Sequence, residues 1–178
     1  MKKLAVKVNG LWIGIGLEEG HISWNTIPLR SLHSLIRHTL KYGGELELHT
    51  NNDYIKRYAL KILNLYYGVN VETKEENLLI PGGILEENLE VLKRIPKGRV
   101  ASYGWLGSNI EVNPRLAGKL LGKNPFPLLY PCHRVVRKDG SIGGYSYGIK
   151  AKKEILEREG VRFKGLKVYR EYFINLNL

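Results

Sequence analysis

The sequence predicts two parts: a small α/β amino-terminal domain of sheet and helices, with its linker, over 1–80, and a mainly helical carboxy-terminal domain over 81–178 that contains a helix-turn-helix and the only cysteine, Cys132. Three observations carry this. Apolar residues in the first half switch between strand-like runs and helical spacing. A polar, acidic stretch from Val71 ends in Pro81-Gly82-Gly83, a turn-rich boundary. Beyond it, start and stop signals for short helices follow one another closely.

Taken in order, Leu4–Val8 and Leu11–Leu17 read as strands, and Leu29–Tyr42 as a helix stopped by Gly43-Gly44. A third strand is expected over Glu45–His49. Asn52 or Asp53 caps the next helix, which carries Ile55, Tyr58, Ala59, Ile62, Leu63, Tyr66 and Tyr67 at helical spacing up to Gly68. In the second half Ile84–Ile95 suits a helix ended by Pro96, and Ser102 caps a short one from Tyr103. Asn113-Pro114 opens another, with asparagine at the cap and proline in the first turn, running to Gly122. Two short helices joined by Glu111 and Val112 have helix-turn-helix dimensions. The last helix spans Lys150–Glu159 and stops at Gly160.

Composition narrows the function classes. At 178 residues and 43% hydrophobic, the chain has the material for a packed core, so disorder and collagen-like structure are excluded. The formal charge of +11 favours a polyanionic partner, because each Lys or Arg laid near a phosphate releases a condensed counterion. An anionic membrane surface would satisfy the same charge. No run approaches the roughly 18 apolar residues of a membrane span, and Lys7 and Asn9 interrupt what a secretory signal would need. One cysteine allows no internal disulfide and no multi-cysteine zinc site, which fits a reducing compartment, either cytoplasmic or nucleoid-associated. That lone thiol is either buried filler or a reactive group.

Basic residues concentrate around it. Between Lys93 and Gly140, Lys93, Arg94, Lys97, Arg99, Arg115, Lys119, Lys123, Arg134, Arg137 and Lys138 face only Glu111 and Asp139, which points to a nucleic-acid surface. Within this span, Pro131-Cys132-His133-Arg134-Val135-Val136 sets the thiol beside an imidazole and among cations. The thiolate is the reactive form, and such neighbours lower its pKa. Read as a strand, the block sends Cys132 and His133 to opposite faces, so contact needs a water or a turn. A buried strand cysteine beside a surface histidine is the alternative.

The Pro-Cys-His-Arg-Val block, with Asn124-Pro125 seven to eight residues before the cysteine and Tyr145-Ser146 thirteen to fourteen after it, resembles the active-site signature of O6-alkylguanine-DNA alkyltransferases. The resemblance extends upstream through Ile95-Pro96-Lys97-Gly98-Arg99-Val100 and Ser102-Tyr103, and downstream through Leu156 to Glu159-Gly160. It is strong over 95–160 and weak before 80.

The resemblance implies single-use repair, in which Cys132 accepts an alkyl group from O6-alkylguanine in double-stranded DNA. His133 would be the base acting through a water, with Glu159 orienting it. Tyr103 would disturb the phosphate beside the target and donate to the leaving guanine. Arg115 would enter the stack in place of the flipped nucleotide. Tyr145 and Ser146 backbone groups would donate to the base oxygen, the Cys132 and Val135 carbonyls would accept from its amine, and Asn124 would brace the recognition helix. Gly118, Lys119 and Leu121 lie on that helix, which the family lays in the minor groove. Leu116 and Lys119 are larger than the residues common there. Tyr147 stands where several members carry glycine, and its ring is expected to overhang the alkyl pocket. Some members hold zinc with amino-terminal cysteines and histidines. Residues 1–80 offer His21, His33, His38 and His49 without a cysteine, so neither metal nor cofactor is expected. A monomer without a membrane partner is expected.

Two other readings remain at this point. A noncatalytic damage sensor would use the same fold without the cysteine, and Cys132 argues against it. A thiol hydrolase would turn over small esters or amides without DNA, leaving the basic flanks and Arg115 without a task.

Overall fold

The computed structural model describes residues 1–48, 51–72 and 77–174. It divides into two compact units, one of residues 1–80 with 125–129, the other of 81–124 with 130–178.

The first unit is built on a four-stranded sheet in the order β3-β2-β1-β4, from β1 (Lys2–Val8), β2 (Leu11–Glu18), β3 (His21–Asn25) and β4 (Leu46–Leu48). β1 and β2 are joined by Asn9-Gly10, both with positive φ. Asn-Gly is favoured in such hairpins because both central residues must be left-handed. Glu19-Gly20 repeats the device before β3, a strand that the apolar pattern alone did not reveal. β4 is shorter than the expected strand, whose His49 lies outside the described residues. It pairs parallel with β1 after the crossover through α1 (Leu32–Thr39).

α1 is shorter than its apolar pattern suggests. Leu29 exchanges two 2.8 Å backbone hydrogen bonds with Trp12 on the sheet, and Ser31 caps the helix by accepting from the Ser34 amide. α2 (Asp53–Tyr66) is capped by Asn52 and buries Ile55, Tyr58, Ala59, Ile62, Leu63 and Tyr66, the stripe expected from spacing. Residues 77–79, inside the stretch expected as linker, hydrogen-bond along Ile22 of β3. The segment 125–129 is held in this unit by Asn25, whose amide donates to the Pro125 carbonyl and whose side-chain Nδ2 donates to Pro127. The Tyr58 hydroxyl in turn donates to Asn25 Oδ1 at 2.8 Å.

The second unit is mainly helical. α3 (Ile84–Lys93) ends two residues before the expected Ile95, with Pro96 beyond it. β5 (Ala101–Ser102) leads into α4 (Tyr103–Asn109), whose Trp105 amide donates to the Ser102 hydroxyl. After residues 110–113 comes α5 (Pro114–Leu121), with Asn113 accepting from the Leu116 amide. A single 3-10 turn, Cys132–Arg134, then feeds β6 (Val135–Val136), which pairs parallel with β5. α6 (Ile149–Arg158) takes Glu159 as its C-cap, and Gly160 follows at positive φ. A hairpin of β7 (Phe163–Lys164) and β8 (Lys167–Val168) closes the unit. Val100, Val136, Ile142, Leu156, Val161 and Val168 form the core that holds β5, β6 and α6 together. This core fixes the position of the cysteine turn. No helix among the described residues is long and apolar enough to cross a membrane.

Candidate active site

The 3-10 turn changes the expected geometry of the Pro-Cys-His-Arg block. A strand would have separated Cys132 and His133. The turn instead buries both, with His133 only 1% exposed. Its Nε2 lies 3.0 Å from Glu159 Oε1. Arg134 grips the same carboxylate, with Nε at 3.0 Å from Oε2 and a terminal nitrogen at 2.7 Å from Oε1, while its other terminal nitrogen donates to the Ile95 carbonyl at 2.7 Å. Such a bidentate, charge-assisted pair is among the stronger polar contacts a protein makes. Arg134 therefore does not belong to a basic outer surface. Its side chain is 13% exposed and serves the site from within.

These contacts assign the imidazole tautomer. Burial pushes the Glu159 carboxyl up, but His133 and Arg134 outweigh it and hold its pKa down at about 2. An ionised carboxylate only accepts, so His133 Nε2 carries the hydrogen and Nδ1 bears the lone pair. Nδ1 is buried and has no hydrogen-bond partner among the described residues. Burial lowers the His133 pKa despite the pull of Glu159, so the resting ring is neutral.

The thiol departs from expectation. Burial raises the Cys132 pKa, and this outweighs a hydrogen bond from the Asn124 side chain and the charge of Lys152, both of which favour the thiolate. The resting pair is therefore neutral thiol and neutral imidazole. Asn124 Nδ2 also donates to the Tyr130 carbonyl at 2.8 Å, tying the residue just after α5 to the residue before Pro131.

A pocket of about 290 Å³ opens onto the sulfur and is lined by Tyr103, Gly118, Leu121, Gly122, Cys132, Gly144, Tyr145 and Ser146. Six of these were expected from sequence. Gly143, at φ 71°, lies so close to Tyr103 that a Cβ there would come within 2.9 Å of the phenol oxygen, so only glycine lets the loop pass this ring. Burial raises the Tyr103 pKa, keeping it a proton donor across the neutral range. Val135 is buried, and its carbonyl accepts from Lys152 Nζ at 2.6 Å. Tyr147 does not line the pocket. Its ring lies against Tyr145, with centroids 5.7 Å apart. Arg115 and Lys119 are exposed on α5, outside the pocket. A wider cleft over Glu157, Arg162, Tyr169 and Glu171 contains none of the expected site residues.

Sequence reasoning missed the roles of Arg134 and Lys152. Lys152 had a visible signal: it stands three, four and seven residues before Ile155, Leu156 and Glu159, on the buried face of α6. Among the described residues, no group of three or more His, Cys, Asp and Glu is placed to hold a metal ion.

Comparison with known proteins places this arrangement. Residues 85–161 match the family model described as the 6-O-methylguanine DNA methyltransferase DNA binding domain. The chain is 36% identical over 164 residues to a methylated-DNA–protein-cysteine methyltransferase of Methanocaldococcus vulcanius, covering 89% of this chain and 98% of the relative. A Methanocaldococcus jannaschii protein of the same name is 35% identical, covering 93% and 100%. Among solved structures, the O6-methylguanine-DNA methyltransferase of Pyrococcus kodakaraensis superposes with a TM-score of 0.69 at 28% identity, covering 90% and 99%. The Methanococcus jannaschii enzyme gives 0.66 at 35% identity, covering 93% and 99%. Both Methanocaldococcus relatives exceed 30% identity and are spanned almost completely, and this chain belongs to the methylated-DNA–protein-cysteine methyltransferase family.

Proposed function

We propose that this protein repairs O6-alkylguanine in double-stranded DNA by direct reversal, moving the alkyl group onto Cys132 in one irreversible transfer per molecule. The observation that carries this is the bond from His133 Nε2 to the ionised Glu159, which leaves Nδ1 as the available base within the turn that holds the thiol.

The reaction follows from these groups. The Cys132 proton passes through a water to His133 Nδ1, and Glu159 stabilises the imidazolium formed. The sulfur attacks the alkyl carbon. An S–C bond forms as the C–O6 bond breaks, and the electron pair moves into the guanine. The Tyr103 hydroxyl donates a proton to N3, so the base leaves neutral, and the phenolate is reprotonated from solvent. Cys132 is then a thioether, and the chain has no second thiol to regenerate it.

The target must leave the stack, because a protein thiol has no route to an O6 substituent inside a duplex. In this reading α4 and α5 act as a helix-turn-helix with α5 in the minor groove. Gly118 allows close approach, Lys119 meets the phosphates, and Arg115 fills the gap left by the flipped nucleotide. Tyr145 and Ser146 amides donate to O6. The Cys132 and Val135 carbonyls accept from the exocyclic amine through the lone pairs left beside their Val135 amide and Lys152 bonds. Tyr147 supports Tyr145, and the protein acts as a monomer.

Intact-mass spectrometry tests this. Incubation with duplex DNA carrying O6-methylguanine should add one methyl, mapped to the Cys132 peptide, with no gain on unmodified duplex. Cys132→Ser should still bind DNA and transfer nothing, because a serine hydroxyl is far less ionised. Several transfers per molecule, or a methyl found elsewhere, would contradict the proposal.

A further inference from the structure

Asn25 is a buried polar side chain to which the transfer chemistry assigns no part. It ends β3 in the first unit and is 2% exposed, yet each end of its amide is engaged. Nδ2 donates to the Thr26 carbonyl at 3.0 Å and the Pro127 carbonyl at 3.1 Å. Oδ1 accepts at 2.8 Å from the hydroxyl of Tyr58, itself 1% exposed on α2. The Asn25 backbone amide donates to the Pro125 carbonyl at 2.9 Å. A buried polar network satisfied in this way fixes one arrangement of the groups it joins.

The segment it holds runs directly into the cysteine turn. Residues 125–129 belong to the first unit, whereas Asn124 before them and Tyr130 after them belong to the second. Within the segment Leu128 is buried at φ 78°, a left-handed conformation that a leucine keeps only where its surroundings impose it. One side of that constraint is Pro127, held by Asn25. The other is Tyr130, whose carbonyl accepts from Asn124 Nδ2 at 2.8 Å and from the Cys132 amide at 2.7 Å. The second of these bonds ties the reacting residue itself to the end of the segment.

We propose that Asn25, with Tyr58 behind it, is a positioning residue for the acceptor thiol; this rests on the alkyl-acceptor reading of Cys132. By holding the Pro125 and Pro127 carbonyls, Asn25 keeps Leu128 left-handed and so sets where the Tyr130 carbonyl meets the Cys132 amide. It touches neither substrate nor sulfur. Attack nevertheless requires the sulfur in line with the alkyl carbon and the C–O6 bond, and a displacement of about 1 Å can slow such a step by about a hundredfold. None of the residues lining the pocket comes from the first unit, so its action on the reaction passes along this segment of chain.

Single-use chemistry separates this role from a merely structural one. With excess O6-methylguanine duplex, the methyl taken up, read by intact mass, counts the competent molecules, while the first-order rate constant reports the alignment in each. Asn25→Ala should still take up one methyl per molecule, but about tenfold more slowly at saturating DNA, with affinity for unmodified duplex within about twofold of wild type. Tyr58→Phe keeps the ring and leaves the Pro127 bond in place, and should slow transfer by about threefold. Hydrogen exchange without DNA gives an independent reading. In Asn25→Ala the peptide over 130–136 should exchange faster, while that of α3 keeps its wild-type protection. A lower methyl count with the rate constant unchanged, unchanged exchange over 130–136, or failure of both variants to fold would each overturn the proposal. If the wild-type protein takes up no methyl, the repair reading falls, and exchange over 130–136 still decides whether Asn25 sets the turn.

Discussion

Glu159 holds the His133 imidazole and the Arg134 guanidinium with one carboxylate, and this sets what its loss should do. In Glu159→Gln the neutral amide retains the shape and one acceptor, but His133 loses the charge that favours its protonated form, while Arg134 remains nearby to disfavour it. The imidazole becomes a poorer base for the thiol proton. Methyl transfer should slow by about tenfold or more at neutral pH, and the pH–rate profile should move to higher pH. A single-turnover assay across pH checks this, and an unmoved profile would take Glu159 out of the proton path. The cysteine, the histidine and this glutamate were legible in the sequence because short signature words carry them at fixed distances. The inward turn of Arg134 was not, since nothing in Cys-His-Arg-Val-Val distinguishes a 3-10 turn from the start of a strand. The direction of the Tyr147 ring was equally hidden, because a loop of glycine, serine and tyrosine has no periodicity to orient a side chain.

At the level of elements, caps were the most reliable signals. Ser102, Asn113 and Asn52 each cap the helix they were expected to open, because a side-chain oxygen at that position satisfies an otherwise unbonded amide. Apolar spacing overran the real helices at Leu29 and Ile95. At Leu29 a tertiary hydrogen-bond pair with Trp12 wins over helix propensity, and at Ile95 the following Pro96 closes the last turn. β3 was missed because five residues after a tight turn give too little alternation to count. The proposed helix-turn-helix role of α4 and α5 predicts an effect that a stability assay would not detect. Arg115 is exposed in the first turn of α5 and is not among the residues lining the pocket, so its loss should leave the thiol and its partners in place. Arg115→Ala should reduce transfer from duplex DNA by about tenfold or more while leaving reaction with free O6-methylguanine base within about twofold, since only the duplex needs a filled gap. Equal loss on both substrates would point to a disturbed fold instead.

For the whole molecule, the site's buried ionisable groups govern how stability responds to pH, and they act on a chain whose formal charge is already +11. Unfolded His133 takes up a proton near pH ~6.5, whereas burial in the native state resists it, so the unfolded chain binds more protons below that value and stability falls as pH drops. Unfolded Glu159 protonates near ~4.3, while the folded carboxylate holds out to about 2. Its contribution is therefore complete above about pH 5 and is lost on the way down to 2, on the order of 3 kcal/mol. Protonation of the other carboxylates adds self-repulsion over the same range. Lys152 works on the alkaline side: its folded pKa of about 8 lies below the usual ~10.4, so its own contribution rises with pH across that interval, while the Cys132 thiol, pushed up by burial, acts in the opposite sense. Urea midpoints measured from pH 3 to 10 should thus fall in two steps toward acid. Glu159→Gln should flatten the lower acid step, and Lys152→Gln should remove the rising contribution, so that its curve drops relative to wild type above pH 8. A wild-type curve that stays level from pH 7 down to 3 would contradict the buried His133–Glu159–Arg134 arrangement itself. A Lys152→Gln curve that keeps pace with wild type above pH 8 would place the alkaline effect on another group.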